Sequence, residues 1–71
     1  MRNVSPDALT EREIEILRAV ADGNTNSAIA DLLHISEATV KTHLVHIYTK
    51  LGVSDRAAAV SRAYESGVLS L

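Results

Sequence analysis

Apolar residues recur along this chain at helical spacing. Leu9, Ile16, Leu17 and Val20 share one face at 3.6-residue periodicity, with Glu13 interrupting the stripe. The pattern predicts a first helix from about Asp7–Thr10 to Ala21. Thr10 is placed to cap it, and Glu13 stands at the capping-box spacing. Asp22-Gly23-Asn24 stops it, with Gly23 supplying a left-handed residue. A second, short helix is expected over Asn26–Leu33, capped by Thr25, with Ile29, Ala30 and Leu33 as a narrow apolar face. His34-Ile35 forms a tight turn, and Ser36 caps a third helix from Glu37 to about Lys50. Val40, Leu44, Ile47 and Leu51 make the buried seam of that helix, which Gly52 ends. A fourth helix is expected from Asp55 to about Ser66, capped by Ser54 and ended by Gly67, with residues 68–71 trailing. Residues 1–6 read as a linker or flexible N-terminus closed by Pro6, leaving 7–71 as one domain. The fold class is therefore all-α, with four helices.

Helix, short helix, tight turn and longer helix make up the helix-turn-helix layout, placed here at about residues 26–45. Ala30 sits where two helices must approach closely, and Val40 plugs the third helix into the core. The polar positions of that helix are the informative ones. Ala38, Thr42, Val45 and Thr49 point away from the seam, and Lys41 and His46 flank them. This face holds small or mid-sized side chains with no anion, so it can enter a major groove without repelling phosphates. Lys41 can donate to guanine O6 and N7, Thr42 to a base edge or a phosphate, and Val45 can meet a thymine methyl. For Val45 the plainer reading is an idle exposed apolar residue, and for Lys41 a solvated charge or a phosphate contact.

Glu13 carries two readings. It can simply cap its helix, or it can be a partly buried carboxylate that needs a cation, with Lys50 and Arg56 as candidate partners in a structural ion pair. On the fourth helix, Ala57, Ser61 and Tyr64 form a small-residue outer face with little charge, which fits a homodimer contact better than open solvent.

Composition narrows the function classes. The chain has 71 residues, no cysteine, and only 3% aromatic content, so disulfides, thiolate metal sites and base-stacking platforms are excluded. The net charge of −2 counts against nucleic-acid binding when taken alone. Its distribution softens the point: acidic residues crowd positions 7–22, whereas Lys41, Lys50 and Arg56 face only Asp55 over positions 38–56. No apolar run approaches the roughly 20 residues of a membrane span, and no signal-peptide core opens the chain, so a cytoplasmic protein is expected. His43 and His46 lie three apart but have no obvious carboxylate companion, so no metal or other cofactor is expected. A chain this small lacks room for a pocket that would desolvate its Ser, His and Asp residues, which argues against an enzyme and against a small-molecule ligand.

Several segments together resemble the LuxR/FixJ/GerE-type DNA-binding domain. They are Leu9-Thr10-Glu11-Arg12-Glu13, Ile16-Leu17, Asp22-Gly23, Asn26, Ile29-Ala30, Leu33, Ile35-Ser36, Thr39-Val40-Lys41-Thr42-His43, Ile47, Lys50-Leu51-Gly52-Val53 and Arg56-Ala57-Ala58-Ala59. The resemblance spans residues 9 to about 66 and implies the effector domain of a bacterial transcription regulator. Such a domain binds double-stranded DNA as a dimer, with the third helix in the major groove and the last helix at the dimer contact. It often follows a receiver or sensor domain, and contact with RNA polymerase is a further implied partnership. Ala38, Lys41, Thr42 and Val45 then form the base-facing set. Thr39, His43, Asn26 and Ser27 match backbone-facing positions, and Thr25 and Ser36 join them as phosphate-facing residues. The chain departs from the family's pattern at Ser27 (often basic), Val45 (often Lys, Arg or Asn), His34 (usually Gly) and Glu11 (often Pro). The first two departures weaken electrostatic affinity, so two half-sites are expected to be needed for useful binding. The rival class is a protein-interaction module that has lost DNA binding, supported by the negative charge, Ser27 and Val45.

Overall fold

The computed structural model describes residues 8–70. The expected linker at 1–6, the Asp7 boundary of the first helix and the terminal Leu71 lie outside the described residues. Four helices and no strand occur among the described residues: α1 (Glu11–Ala21), α2 (Asn26–Leu33), α3 (Glu37–Leu51) and α4 (Arg56–Glu65).

Each helix starts on a side chain that satisfies an otherwise orphaned backbone N–H. Thr10 and Glu13 form a reciprocal capping box. The Thr10 hydroxyl accepts from the Glu13 N–H at 3.1 Å, and the Glu13 carboxylate accepts from the Thr10 N–H at 2.9 Å. Thr25 and Ser36 cap α2 and α3 in the same way. The fourth cap is Asp55 rather than Ser54: its carboxylate accepts from the Ala58 N–H at 2.8 Å, so α4 begins at Arg56. The extended backbone of Asp55 puts its side chain at the N-cap position, from which the third amide of the helix is in reach.

The apolar stripes then pack together. Ile16, Leu17 and Val20 of α1, Ile29 and Ala30 of α2, Val40, Leu44 and Ile47 of α3, and Ala59 and Ala63 of α4 form one buried core. Leu51, expected within the buried seam, packs against that core only half-buried. The helix α1 touches all three others, and α3 lies against α2 and α4 as well as α1. The alanines of α4 let its backbone come close to α1 and α3 without a large side chain between them.

The segment after α4 is a correction. It does not simply trail. Gly67, at φ 82°, turns the chain back, the Leu69 N–H donates to the Ala63 carbonyl at 3.1 Å, and the Leu69 side chain is 4% exposed. Apolar area leaving water drives this closure, and a left-handed glycine makes it sterically cheap.

Candidate nucleic-acid interface

Two short connections aim α3. The first is the turn between α2 and α3. His34 closes α2 in the left-handed region, at φ 57° and ψ 44°, the one non-glycine residue with positive φ among those described. The Ile35 N–H bonds back to the Ala30 carbonyl at 3.0 Å, and Ser36 then opens α3. A side chain with a Cβ costs about 1–2 kcal/mol in this backbone conformation, so the turn holds local strain that the packed helices maintain. The second connection is Gly52, at φ 70°, which ends α3 and leads to α4.

Beneath α3 lies a polar anchor. Lys50 Nζ sits 2.7 Å from Glu13 Oε1 and 3.3 Å from the Ala8 carbonyl, joining the end of α3 to the start of α1. The Glu13 carboxylate is thus both cap and ion-pair member. Burial opposes its charge, but the Lys50 ammonium and the Thr10 donors outweigh that penalty and hold the carboxyl below its ordinary range. Arg56, the other candidate partner, does not join this pair. Its guanidinium donates to Asn26 Oδ1 at 2.8 Å and to the Asn24 carbonyl, tying α4 to the start of α2. As the first residue of α4, Arg56 meets two amide oxygens beside the α1–α2 connection, and these satisfy its donors. Asn24 is placed by the sequence only in the stop of α1. It also donates its side-chain amide to the Ala19 carbonyl at 2.9 Å, so it braces both sides of that connection. A loop Asn directly after a helix-ending Gly was the available signal.

The outer face of α3 is exposed. Ala38, Lys41, Thr42 and Val45 all stand in solvent, with Val45 60% exposed. Thr42 donates its hydroxyl proton to the Ala38 carbonyl at 3.1 Å, so only its acceptor lone pairs remain for another molecule. Thr39 and His43 lie along one edge with His46, bordering a shallow depression with Ala38 and Thr42. Ser36 and Thr39 share a hydroxyl–hydroxyl bond of 2.8 Å at the start of the helix. Thr25 and Ser27 are exposed at the start of α2, while Asn26 is half-buried with its carbonyl engaged by Arg56. Ala57, Ser61 and Tyr64 are exposed together on α4. Beside them an open groove is lined by Val20, Ala21, Arg56, Ala57 and Val60.

Among the described residues, no group of three His, Asp or Glu side chains stands close enough to hold a metal ion. No helix among them is long and apolar enough to cross a membrane.

Comparison with known proteins agrees with this geometry. The family of bacterial regulatory proteins of the luxR type matches residues 7–63. The transcriptional regulatory protein YdfI of Bacillus subtilis is 46% identical over 63 residues, covering 89% of this chain and 30% of that protein. A probable transcriptional regulatory protein, NarL of Mycobacterium tuberculosis, is 49% identical over 61 residues, covering 86% and 28% respectively. The crystal structure of the response regulator ChrA, from a heme-sensing two-component system, superposes with a TM-score of 0.87 at 50% identity. That match covers 96% of this chain and 33% of ChrA. The chain thus spans about a third or less of the length of these relatives. The matching family is one of regulators rather than enzymes, and it covers the capped helices, the left-handed turn and the exposed α3 together. The chain belongs to the luxR family of bacterial regulatory proteins.

Proposed function

We propose that this chain is the DNA-binding effector module of a bacterial transcription regulator of the two-component response-regulator type. It binds double-stranded DNA by sequence, with α3 in the major groove. The observation that carries this reading is the outer face of α3: Ala38, Lys41, Thr42 and Val45 are exposed, cationic in sum, and free of carboxylates. Lys41 reads guanine, Thr42 accepts from an exocyclic amine, and Val45 meets a thymine methyl. Thr25, Asn26, Ser27, Ser36, Thr39 and His43 line the flanks and meet phosphates. Asn26 does so through its amide NH2, because Arg56 occupies its carbonyl. Two copies associate through Ala57, Ser61 and Tyr64 of α4, which places a recognition helix on each of two half-sites. RNA polymerase is a natural further partner of such a module, and the cytoplasm its compartment.

A mobility-shift titration at low salt tests the reading, with Lys41→Glu as the diagnostic variant. The parent chain is expected to retard duplex DNA, and the variant to lose at least about tenfold in affinity. Retention unaffected by the substitution would assign binding to another face, or would make the chain a protein-interaction module. Selection from a random duplex pool is expected to enrich an inverted repeat.

A further inference from the structure

The three histidines of the chain are His34, in the turn between α2 and α3, and His43 and His46, both on α3. His43 and His46 are one turn apart and border the same depression as Thr39 and Thr42. With 3.6 residues per turn, His46 lies roughly 140° around the helix from Lys41. The base-facing strip of Ala38, Thr42 and Val45 therefore runs between one permanent cation and a pair of imidazoles. Glu37, the acidic residue of α3, lies on the Lys41 side, roughly 180° from His46.

On the neighbouring helices Arg12 pairs with Glu15 and Arg62 with Glu65, while Glu11, Arg18 and Asp22 are exposed. Glu13 of α1 is bonded to Lys50, Arg56 of α4 to Asn24 and Asn26, and Asp55 to the Ala58 amide. Asp31 of α2 is exposed. Among the described residues no carboxylate comes within 4.0 Å of an imidazole nitrogen. A helix seated in a major groove faces a wall of phosphates on each side. Lys41 lies toward one wall, while toward the other the permanent cation of α3 is Lys50, four residues on from His46 and committed to Glu13. Imidazole is the side chain whose charge changes between pH 5 and 8.

We propose that His46, acting with His43, is a phosphate-binding element on the second flank of α3. It engages the DNA backbone as imidazolium, so duplex binding takes up protons. This rests on the DNA-binding reading above and extends it to a residue and a regulation which that reading did not include. Binding strengthens as pH falls, because a phosphate favours the protonated ring and the face gains cations that a chain of net charge −2 otherwise lacks there.

Fluorescence anisotropy with a short, labelled, mixed-sequence duplex at low salt tests this, because phosphate contact is independent of sequence. The parent chain is expected to bind about fivefold or more tightly at about pH 6 than at about pH 8. In His46→Gln that gain is expected to fall by about half, and in the double variant with His43→Gln to below about twofold. His34→Asn keeps the gain, since Asn accepts the left-handed conformation and His34 lies off this flank. The chain's α-amino group is common to all variants and cancels in the comparison. Melting curves at both pH values confirm that each variant is folded. Parent affinity independent of pH, or an undiminished gain in the double variant, overturns the proposal. Absence of duplex binding at every pH overturns the DNA-binding reading as well, and so is distinguishable from failure of the histidine element alone.

Discussion

Two residues carry more of this fold than their neighbours. His34 holds a conformation that glycine adopts freely, and it does so at the turn that aims α3. His34→Gly is expected to raise stability by about 1 kcal/mol, the strain relieved outweighing the entropy that glycine adds to the unfolded chain. In a domain of this size the melting temperature should rise by about 4–8 °C. Glu13 is the opposite case, a charge kept at 4% exposure because it serves both the Thr10 amide and Lys50. Glu13→Gln preserves the capping geometry but leaves Lys50 without its counter-charge, and is expected to cost about 2 kcal/mol by urea titration near neutral pH. The sign of the pH effect follows from the lowered carboxyl. Its contribution is complete above the ordinary value of 4.5 and drains away as pH falls through the folded-state value below that. The parent chain should therefore lose stability into acid more steeply than Glu13→Gln, a difference that melts at neutral and acid pH resolve.

Helix α3 divides its labour by face. Val40, Leu44 and Ile47 anchor it, and everything opposite them is available to a partner. An exposed position can change without cost to the fold, so Val45→Lys should alter stability by less than about 0.5 kcal/mol. On the proposed function the same change adds a phosphate-seeking cation, tightening duplex binding at low salt and steepening its salt dependence by about one unit in the log–log slope. Anisotropy titrations across salt concentrations measure both. The helix α4 shows how a short polar segment becomes structural: Ala59 and Ala63 bury against α1 and α3, Arg56 staples it to α2, and Leu69 folds back beneath it.

The whole molecule is electrically lopsided. Net charge is −2, yet the face proposed to meet DNA presents Lys41 and histidines, with Glu37 as the one carboxylate of α3, at its Lys41 edge. On the proposed function, so few permanent cations make a weak monomeric contact, and useful affinity is expected only from two copies on one duplex. Sedimentation of the chain with an enriched inverted-repeat duplex should give a complex of two chains per duplex, and Tyr64→Glu on α4 should reduce it to one. Two chains per duplex in that variant would place the contact between copies elsewhere.

Helix positions, most caps and the exposed face of α3 were legible in the amino-acid order, because they rest on local spacing: 3.6-residue periodicity, a hydroxyl or carboxylate at a cap, a glycine at a stop. That Arg56 does not pair with Glu13 and that Leu69 joins the core could not be read from spacing, whereas Asp55, three residues before the Ala58 amide it caps, offered the same local signal as Ser54. Residues far apart in the chain, or a segment doubling back past a glycine, meet only when the helices dock. An arginine with several acceptors within reach then takes the geometry that satisfies most of its donors. Periodicity therefore decided which face of each helix is apolar. Packing alone decided that Lys50 rather than Arg56 neutralises Glu13, and that Leu69, past the turn at Gly67, closes the core.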